Sequence, residues 1–285
     1  MSNIYFDHMA NNPLEPRVLE AMLPHLRETY GNPLNVHSLG QKSLAIVEAA
    51  RTQVADLIGA ASREIIFTGC GSEANNFAIR GLARANEKKG LPAGRQGRHI
   101  ITSAIEHFSV LFPIQQLEKE GFRVTYVPVG KDGFIDPQAV AQAITPETIL
   151  VSLTHASNEI GTIEPIAEIV QAVRRKTKDE GRETIIHIDA VQTVGNIPVN
   201  VAELGVDALT LSANMFYGPT GVAALYLKKG TRILPFILGG TQEEGKRAGT
   251  QNIAGIAGMG VAADNEMAIK KFYMSFKQQK RLTMI

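Results

Sequence analysis

Small and polar residues follow several short apolar runs of the sequence, at positions where strands of an open sheet would end. After Phe67 comes Thr68-Gly-Cys-Gly-Ser-Glu-Ala74, in which small residues lead into the start of a predicted helix. Glycines let a backbone approach an anion closely, and a helix N-terminus offers free N–H groups. The segment therefore indicates a phosphate-binding turn centred on Gly71 and Ser72.

The same turn also fits the spacing G-x-G-x-x-A of dinucleotide-binding enzymes, with Gly69, Gly71 and Ala74 in the small positions. That alternative needs an acidic residue at the end of the next strand, about 20 residues further on. Glu87 lies inside a polar helix end, and Glu106 lies too far along the chain. An NAD-dependent dehydrogenase is therefore the remoter alternative.

Four side chains could contact a planar heteroaromatic ring, and each has a plainer alternative. His107 follows the predicted strand Ile100–Thr102 and could stack on a ring or cap a helix. Asp189 could keep a pyridine nitrogen protonated, which makes the ring an electron sink, or could also be a helix cap. Gln192 could donate to a ring oxygen, and Asn158 is either a loop-stabilising amide or a ligand contact.

A second turn lies between two predicted strands, in the stretch 206–221. Its first apolar run places Ser212 at a strand end, and Tyr217-Gly-Pro-Thr-Gly221 leads into the next strand. Asn214 and Met215 lie between them. Neither side chain has the primary amine that an imine requires.

Taken together, these segments are similar to the cysteine desulfurase branch of the class-V aminotransferases, which use pyridoxal 5'-phosphate (PLP). The similarity extends over nearly the whole chain. The matching segments are Tyr5-Phe-Asp7, Tyr30-Gly-Asn-Pro33 with His37, Phe67-Thr68 with Ser72-Glu-Ala-Asn-Asn76, Glu106-His107, Asn158-Glu-Ile-Gly-Thr162, His187-Ile-Asp-Ala190 with Gln192, Tyr217-Gly-Pro219, and Gly239-Gly240 through Gln242-Glu243, Arg247 and Gly249-Thr250.

The resemblance implies a fold-type-I homodimer that takes sulfur from L-cysteine as an enzyme persulfide and releases L-alanine. The sulfur would supply iron–sulfur cluster assembly or tRNA thiolation through a scaffold or acceptor protein. It also implies a role for each matched residue. Gly71, Ser72 and Ser212 would hold the phosphate, His107 would stack on the ring, Asn158 and Gln192 would contact the ring oxygen, Asp189 the pyridinium, and Thr250 the partner subunit's phosphate.

The sequence departs from the family pattern in three ways. Met215 stands where the family has the lysine that bonds PLP, with Asn214 at the neighbouring histidine position, and Thr220 replaces a lysine. The chain also ends before the C-terminal domain that in the family carries the persulfide cysteine and a substrate-binding arginine. We expect PLP to be bound non-covalently, if it is bound, and cysteine desulfuration to be absent.

Two other interpretations of this chain stay open. One is a non-catalytic pseudoenzyme or partner subunit in sulfur and iron–sulfur assembly. The other is an incomplete gene product. Whether Lys228 or Lys229, beyond the second strand, reaches the cofactor is also open at this stage.

The alternation of short strands and helices predicts an α/β domain with a mainly parallel sheet and helices on both faces. The resemblance makes it a seven-stranded-type sheet with the small C-terminal domain largely missing. We expect residues 1–15 to belong to the small domain, 16–261 to form the PLP-binding large domain, and 262–285 to begin the small domain again. Ile4–Phe6 is a possible strand, and 88–98 is a predicted solvated loop.

Composition sets further bounds on the function. The 285 residues carry 29 basic and 28 acidic side chains, so the net charge of +1 favours neither nucleic-acid nor acidic-membrane partners. No apolar run approaches the roughly 20 residues that span a bilayer. The single cysteine, Cys70, fits a reducing cytoplasm and is expected to be a small packing residue rather than a reactive thiol. An apolar stripe in the last segment, formed by Ile269, Phe272, Tyr273 and Phe276, favours self-association.

Overall fold

The computed structural model describes residues 4–87, 97–179 and 183–264. Most of the predicted loop at 88–98 lies outside the described residues. So does the predicted amphipathic helix with its stripe of Ile269, Phe272, Tyr273 and Phe276.

Seven strands form one sheet in the order β1-β7-β6-β5-β4-β2-β3. Their bounds are β1 Ile65–Thr68, β2 His99–Ser103, β3 Arg123–Val127, β4 Thr148–Thr154, β5 Ile185–Asp189, β6 Ala208–Ser212 and β7 Ala223–Leu227. β2 to β6 pair in parallel, whereas β7 is antiparallel to both β1 and β6. The prediction of a mainly parallel seven-stranded sheet is therefore confirmed.

Helices cover both faces of this sheet. Their bounds are α1 Pro16–Arg27, α2 Ser38–Leu57, α3 Gly71–Asn86, α4 Phe108–Lys119, α5 Pro137–Ala143, α6 Ile166–Asp179, α7 Val201–Leu204 and α8 Ile253–Asp264. Side chains alternate between the faces along each strand, so Ile100 of β2 packs with Phe77 of α3 while Ile101 joins the core on the other side. The strands are buried from both sides, as their continuous apolar runs indicate.

The edge at which the parallel strands end brings the predicted site residues together. Thr68, Ser103, Thr154, Asp189 and Ser212 are the last residues of β1, β2, β4, β5 and β6, and these strands run in one direction. β7 runs the other way, because Ala223 pairs with Ser212 and Leu227 pairs with Ala208. Open α/β sheets bind ligands at the carboxyl ends of their strands.

The N-terminal segment differs from the prediction. Ile4–Phe6 belongs to no strand, and the side chain of Phe6 is 89% exposed. The segment instead turns towards β6, where the backbone N–H groups of Asn12 and Glu15 donate to the carbonyls of Asn214 and Tyr217. The predicted domain limit after residue 261 falls inside α8 and stays a prediction. Within the described ranges, no helix combines the length and apolar character needed to cross a membrane.

Candidate functional site

A cavity of about 500 Å³ opens at the carboxyl ends of the strands. This size is in the ordinary range for a small-molecule site. Eight predicted residues are among its lining residues: Gly71, Ser72, His107, Asn158, Asp189, Gln192, Ser212 and Met215. Thr250 is the predicted cofactor contact that the described structure does not bring there.

The turn that the sequence predicts to bind phosphate lies at the start of α3. α3 begins at Gly71, and a Cβ atom on this residue would lie 3.1 Å from Val191 Cγ2 and 3.5 Å from Ser212 Cβ. Any larger residue would therefore press on the strand end opposite. The free N–H groups of the first helical turn, together with the hydroxyl of Ser72, present donors to an anion in the cavity.

Cys70 is exposed, so its assignment as a packing residue is wrong. It is the N-cap residue of α3, and its Sγ accepts the backbone N–H of Glu73 at 3.4 Å. The thiol lines the cavity because the capping position turns it away from the core. Glu73, beside it, is held by Arg247 Nε at 2.7 Å, which offsets a negative charge near the anion-binding turn.

Asp189 is a buried carboxylate at the end of β5. Its Oδ1 accepts the backbone N–H of Val191 at 3.0 Å, and its Oδ2 accepts Nδ2 of Asn75 at 2.8 Å. Burial raises the pKa of this carboxyl. No lysine or arginine is found among the described lining residues of the cavity. A protonated ring nitrogen would supply the positive partner that Asp189 lacks, so this acid fits PLP.

His107 has the capping role of its two predicted roles, and stacking on a ring stays a prediction. Its Nδ1 accepts the backbone N–H of Ser109 at 3.1 Å, which makes it the N-cap residue of α4. The Ser109 hydroxyl lies 2.7 Å from the same Nδ1 and also accepts Nδ2 of Asn75 at 2.8 Å. Ser109 therefore donates its proton to His107, which leaves the ring proton of a neutral His107 on Nε2. One hydrogen-bonded chain thus joins Asp189 and Asn75 through Ser109 to His107.

The two predicted amide contacts line the cavity, and each donates one proton to a neighbouring residue. Asn158 Nδ2 donates to Glu159 Oε1 at 3.0 Å, and Gln192 Nε2 donates to the carbonyl of Met9 at 3.0 Å. Each amide NH₂ has a second proton that could be donated to a ligand. Their assignment to a ring oxygen stays a prediction.

Met215 lies in the short 3₁₀ turn Ala213–Phe216 and is 3% exposed. Beside it, Ser212 Oγ donates to Asn214 Oδ1 at 2.6 Å, and Asn214 Nδ2 donates to Asn11 Oδ1 at 3.0 Å. The hydroxyl predicted to bind phosphate thus donates to the residue that replaces the family histidine. An anion would have to compete with Asn214 for that hydroxyl.

Lys228 and Lys229 do not take the place of a lysine at position 215. They follow Leu227, which pairs with Ala208 at the opposite end of β6 from Ser212. Five residues of strand at about 3.3 Å each separate them from the cavity edge. Because β7 is antiparallel to β6, Lys228 and Lys229 lie at the end of the sheet opposite the cavity.

Thr250 is exposed and follows Gly249, whose φ of 113° lies in the left-handed region. The backbone N–H of Gly249 donates to Gln242 Oε1 at 3.0 Å. Its predicted contact with a partner subunit's phosphate stays a prediction.

Sequence reasoning assigned no role to Asn75 and Ser109, which support Asp189 and His107, or to Asn11 and Asn12, which hold the turn at Met215. Asn75 was detectable in principle, since it lies one helical turn after Gly71 and so shares its face of α3. Asn11 and Asn12 gave no such signal, because their partners lie 203 residues away.

A cavity at the strand ends of a fold-type-I sheet is lined by a helix start, a buried acid and a histidine. The family model for aminotransferase class-V matches residues 4–284, and the chain belongs to this family. Cysteine desulfurase IscS of Dictyoglomus turgidum is 50% identical over 280 residues, which cover 98% of this chain and 66% of that protein.

Solved structures give the same result. A structure titled as a NifS-like protein superposes with a TM-score of 0.91 at 38% identity, covering 99% of this chain and 74% of that chain. A structure titled as SspA in complex with cysteine has a TM-score of 0.84 at 38% identity and covers 92% of this chain and 73% of that chain. The resemblance to cysteine desulfurases is confirmed, and the chain spans about two thirds of the length of the curated relative.

The dehydrogenase alternative is wrong. Its fingerprint requires two adjacent parallel strands joined by the helix that starts at the glycine turn. Here β1 and β2, which flank α3, are separated in the sheet by β7, β6, β5 and β4. Glu87 does not supply the acid that would bind a ribose hydroxyl either, since it is paired with Arg84 and Arg98.

Proposed function

We propose that this chain is a cysteine desulfurase-like protein whose pocket binds PLP without a covalent bond, and that these 285 residues do not desulfurate L-cysteine. The observation that carries the proposal is Met215, buried at a cavity whose lining includes Gly71, Ser72, His107 and Asp189, the residues predicted to contact PLP. A thioether forms no imine, and the described lining of the cavity contains no side-chain amine. The family is PLP-dependent, and the class of the site follows from it.

Each remaining contact has a role that does not depend on a lysine. The first turn of α3, with Gly71 and Ser72, would hold the phosphate through backbone N–H groups. Asp189 would keep the ring nitrogen protonated, and His107 would cover one face of the ring. PLP bound in this way supplies an electron sink for an amino acid. Without a lysine the chain has no side chain in place to exchange for the substrate's amino group.

Cys70 does not replace a mobile sulfur carrier. It is the single cysteine of the sequence, and its Sγ is tied to the first turn of α3 by the Glu73 N–H group. A sulfur carrier must move between the substrate and an acceptor. A capping residue of a sixteen-residue helix, α3, lacks that freedom.

A second candidate function is supported by the same residue. A chain that keeps the fold and replaces the lysine could be a non-catalytic partner subunit in sulfur or iron–sulfur assembly. We propose a homodimer in either case, with an iron–sulfur scaffold or a sulfur acceptor as the further partner and the cytoplasm as the location. Light scattering on the purified chain tests the dimer, and a monomer at micromolar concentration contradicts it.

Titration calorimetry with PLP tests the binding proposal. The unmodified chain is expected to give saturable binding at one site, and Asp189→Ala is expected to remove it. Sulfide assays with L-cysteine and added PLP are expected to match a control without protein. Equal binding by the parent and Asp189→Ala overturns the site, and sulfide production above the control overturns the inactivity.

A further inference from the structure

Glu106 is a buried acid whose two carboxyl oxygens differ in their hydrogen bonds. It lies between the end of β2 and the start of α4 and is 6% exposed. Its Oε1 accepts the Ser103 hydroxyl at 2.5 Å and the backbone N–H of Thr154 at 3.0 Å. Its Oε2 is buried and has no hydrogen-bond partner within the described part of the chain.

This arrangement differs from that of the other buried glutamate nearby. In Glu164, Oε1 accepts the Thr162 hydroxyl at 2.7 Å and Oε2 accepts the backbone N–H of Ile135 at 2.7 Å. Both oxygens of Glu164 thus face donors, as an ionised carboxylate requires. Both donors to Glu106 contact Oε1. Oε2 accepts no hydrogen bond, as expected for the oxygen that carries the proton of a neutral acid.

Two further polar side chains lie near this end of the sheet. The side-chain Oδ1 of Asn75 and Oγ1 of Thr102 are also buried without a hydrogen-bond partner in the described ranges. Thr102 precedes Ser103 on β2, and Asn75 supports Asp189. An unpaired buried acceptor destabilises the fold, whereas a donor proton or a bridging water satisfies it.

We propose that Glu106 is a positioning residue that carries its proton on Oε2 in the folded chain. The neutral acid then joins the end of β2 to the end of β4 through Ser103 and Thr154. It leaves Asp189 as the charged carboxylate that faces a ligand in the cavity. An ionised Glu106 would place a second negative charge near Asp189, and repulsion between the two carboxylates disfavours that charged form.

The electrostatic surroundings agree with this geometry. The pKa of Glu106 is raised to about 8, mainly by burial and to a smaller extent by the carboxylates of Asp189 and Glu164, against the lowering by its two hydrogen bonds. The unfolded chain has an ordinary glutamate pKa. Because the folded pKa is the higher one, the contribution of Glu106 to stability is complete below the ordinary pKa and is lost as the pH rises through about 8.

The Glu106→Gln variant of the full chain, without added ligand, tests the proposal. Its amide copies the neutral acid and cannot lose a proton. Urea unfolding of parent and variant is measured from about pH 5 to pH 9. One proton held only in the folded state changes the unfolding equilibrium about tenfold per pH unit. The parent should therefore lose stability relative to the variant by up to roughly 1000-fold across this range, and level off above about pH 8.

Glu164→Gln is the matched control. Both oxygens of Glu164 face donors, so the new amide NH₂ must face either the Thr162 hydroxyl or the Ile135 N–H. Glu164→Gln should therefore be destabilised near neutral pH, whereas Glu106→Gln should not be. A stability ratio between parent and Glu106→Gln that does not change with pH overturns the proposal. If the variant does not fold, the infrared carbonyl band of a protonated carboxylic acid in the parent is followed through the same pH range. Its absence at neutral pH also overturns the proposal, and neither result depends on PLP binding.

Discussion

Asn12 Nδ2 donates to the backbone carbonyl of Met215 at 2.7 Å, and the Asn12 backbone N–H donates to the carbonyl of Asn214 at 3.1 Å. These two bonds clamp the turn at the lysine position from the N-terminal segment. Both use backbone oxygens of the turn. The conformation of the turn is therefore held independently of the side chain at position 215.

This clamp predicts that Met215→Lys restores a covalent bond to PLP. The backbone would stay in place, and the new amine would replace a buried thioether at the cavity wall. Borohydride reduction of the variant with PLP, followed by peptide mass analysis, should find the reduced adduct on residue 215. Asn12→Ala combined with Met215→Lys should give a lower yield, because the turn is then held by fewer bonds. The account is contradicted if Met215→Lys gives no adduct while it still binds PLP.

Asp189→Asn should weaken PLP binding by at least about tenfold, since one unit of charge opposite a cationic ring nitrogen is removed. The substitution should leave the fold intact. Asn75 can turn its unpartnered Oδ1 towards the new amide. Calorimetry measures the affinity, and the midpoint of urea unfolding is the control. Unchanged affinity in a folded variant would rule out Asp189 as the ring-nitrogen contact.

The pair of Arg51 and Glu243 should dominate the stability of the sheet edge. Arg51 Nη1 and Nη2 donate to Glu243 at 2.6 and 3.1 Å, and the same carboxylate accepts the backbone N–H of Phe67 on edge strand β1. Removal of one partner of a buried pair costs about 3–5 kcal/mol. Arg51→Ala should lose that much free energy of unfolding in urea, whereas Arg17→Ala, from a half-exposed pair with Glu15, should lose less than about 1 kcal/mol. Similar losses in both variants would show that the pair has no special role.

Two buried histidines should make the fold sensitive to acid. Burial lowers the pKa of His187 to about 3 and that of His155 to about 4, so both stay neutral in the folded chain. Each contributes stability that is present above the ordinary histidine pKa and is lost as the pH falls towards the folded value. Each such proton steepens the loss by about 1.4 kcal/mol per pH unit. His187→Gln should therefore have a shallower dependence between about pH 6.5 and 4, and identical slopes would contradict this account.

The sequence predicted the residues that line the cavity better than the residues that hold them in place. Gly71, Asp189 and Ser212 were identifiable because each ends a strand or begins a helix, and strand ends meet at one edge of a parallel sheet. The partners of Met215 were not, because nothing local connects Asn12 to a turn 203 residues away. The side of the sheet on which Lys228 lies could not be predicted either. It depends on β7 being antiparallel, which apolar runs alone do not specify.

The exposure of Cys70 shows a similar limit. A small residue between two glycines is typical of close packing, yet its place as the N-cap residue of α3 turns the thiol outwards. The burial of Glu106 could not be predicted from the sequence either. A glutamate next to a histidine at a helix start is usually solvated, and its enclosure depends on Thr154 of a neighbouring strand.

Reduction followed by dialysis distinguishes covalently from non-covalently bound PLP. The unmodified chain is saturated with PLP, and half is reduced with borohydride before both halves are dialysed, with Asp189→Ala treated in parallel to account for adducts on surface lysines. We expect that the unmodified chain binds PLP, that dialysis removes it, and that reduction adds no adduct beyond that of Asp189→Ala. A stoichiometric reduced adduct that forms in the unmodified chain and is lost in Asp189→Ala would contradict it, as would the absence of saturable PLP binding.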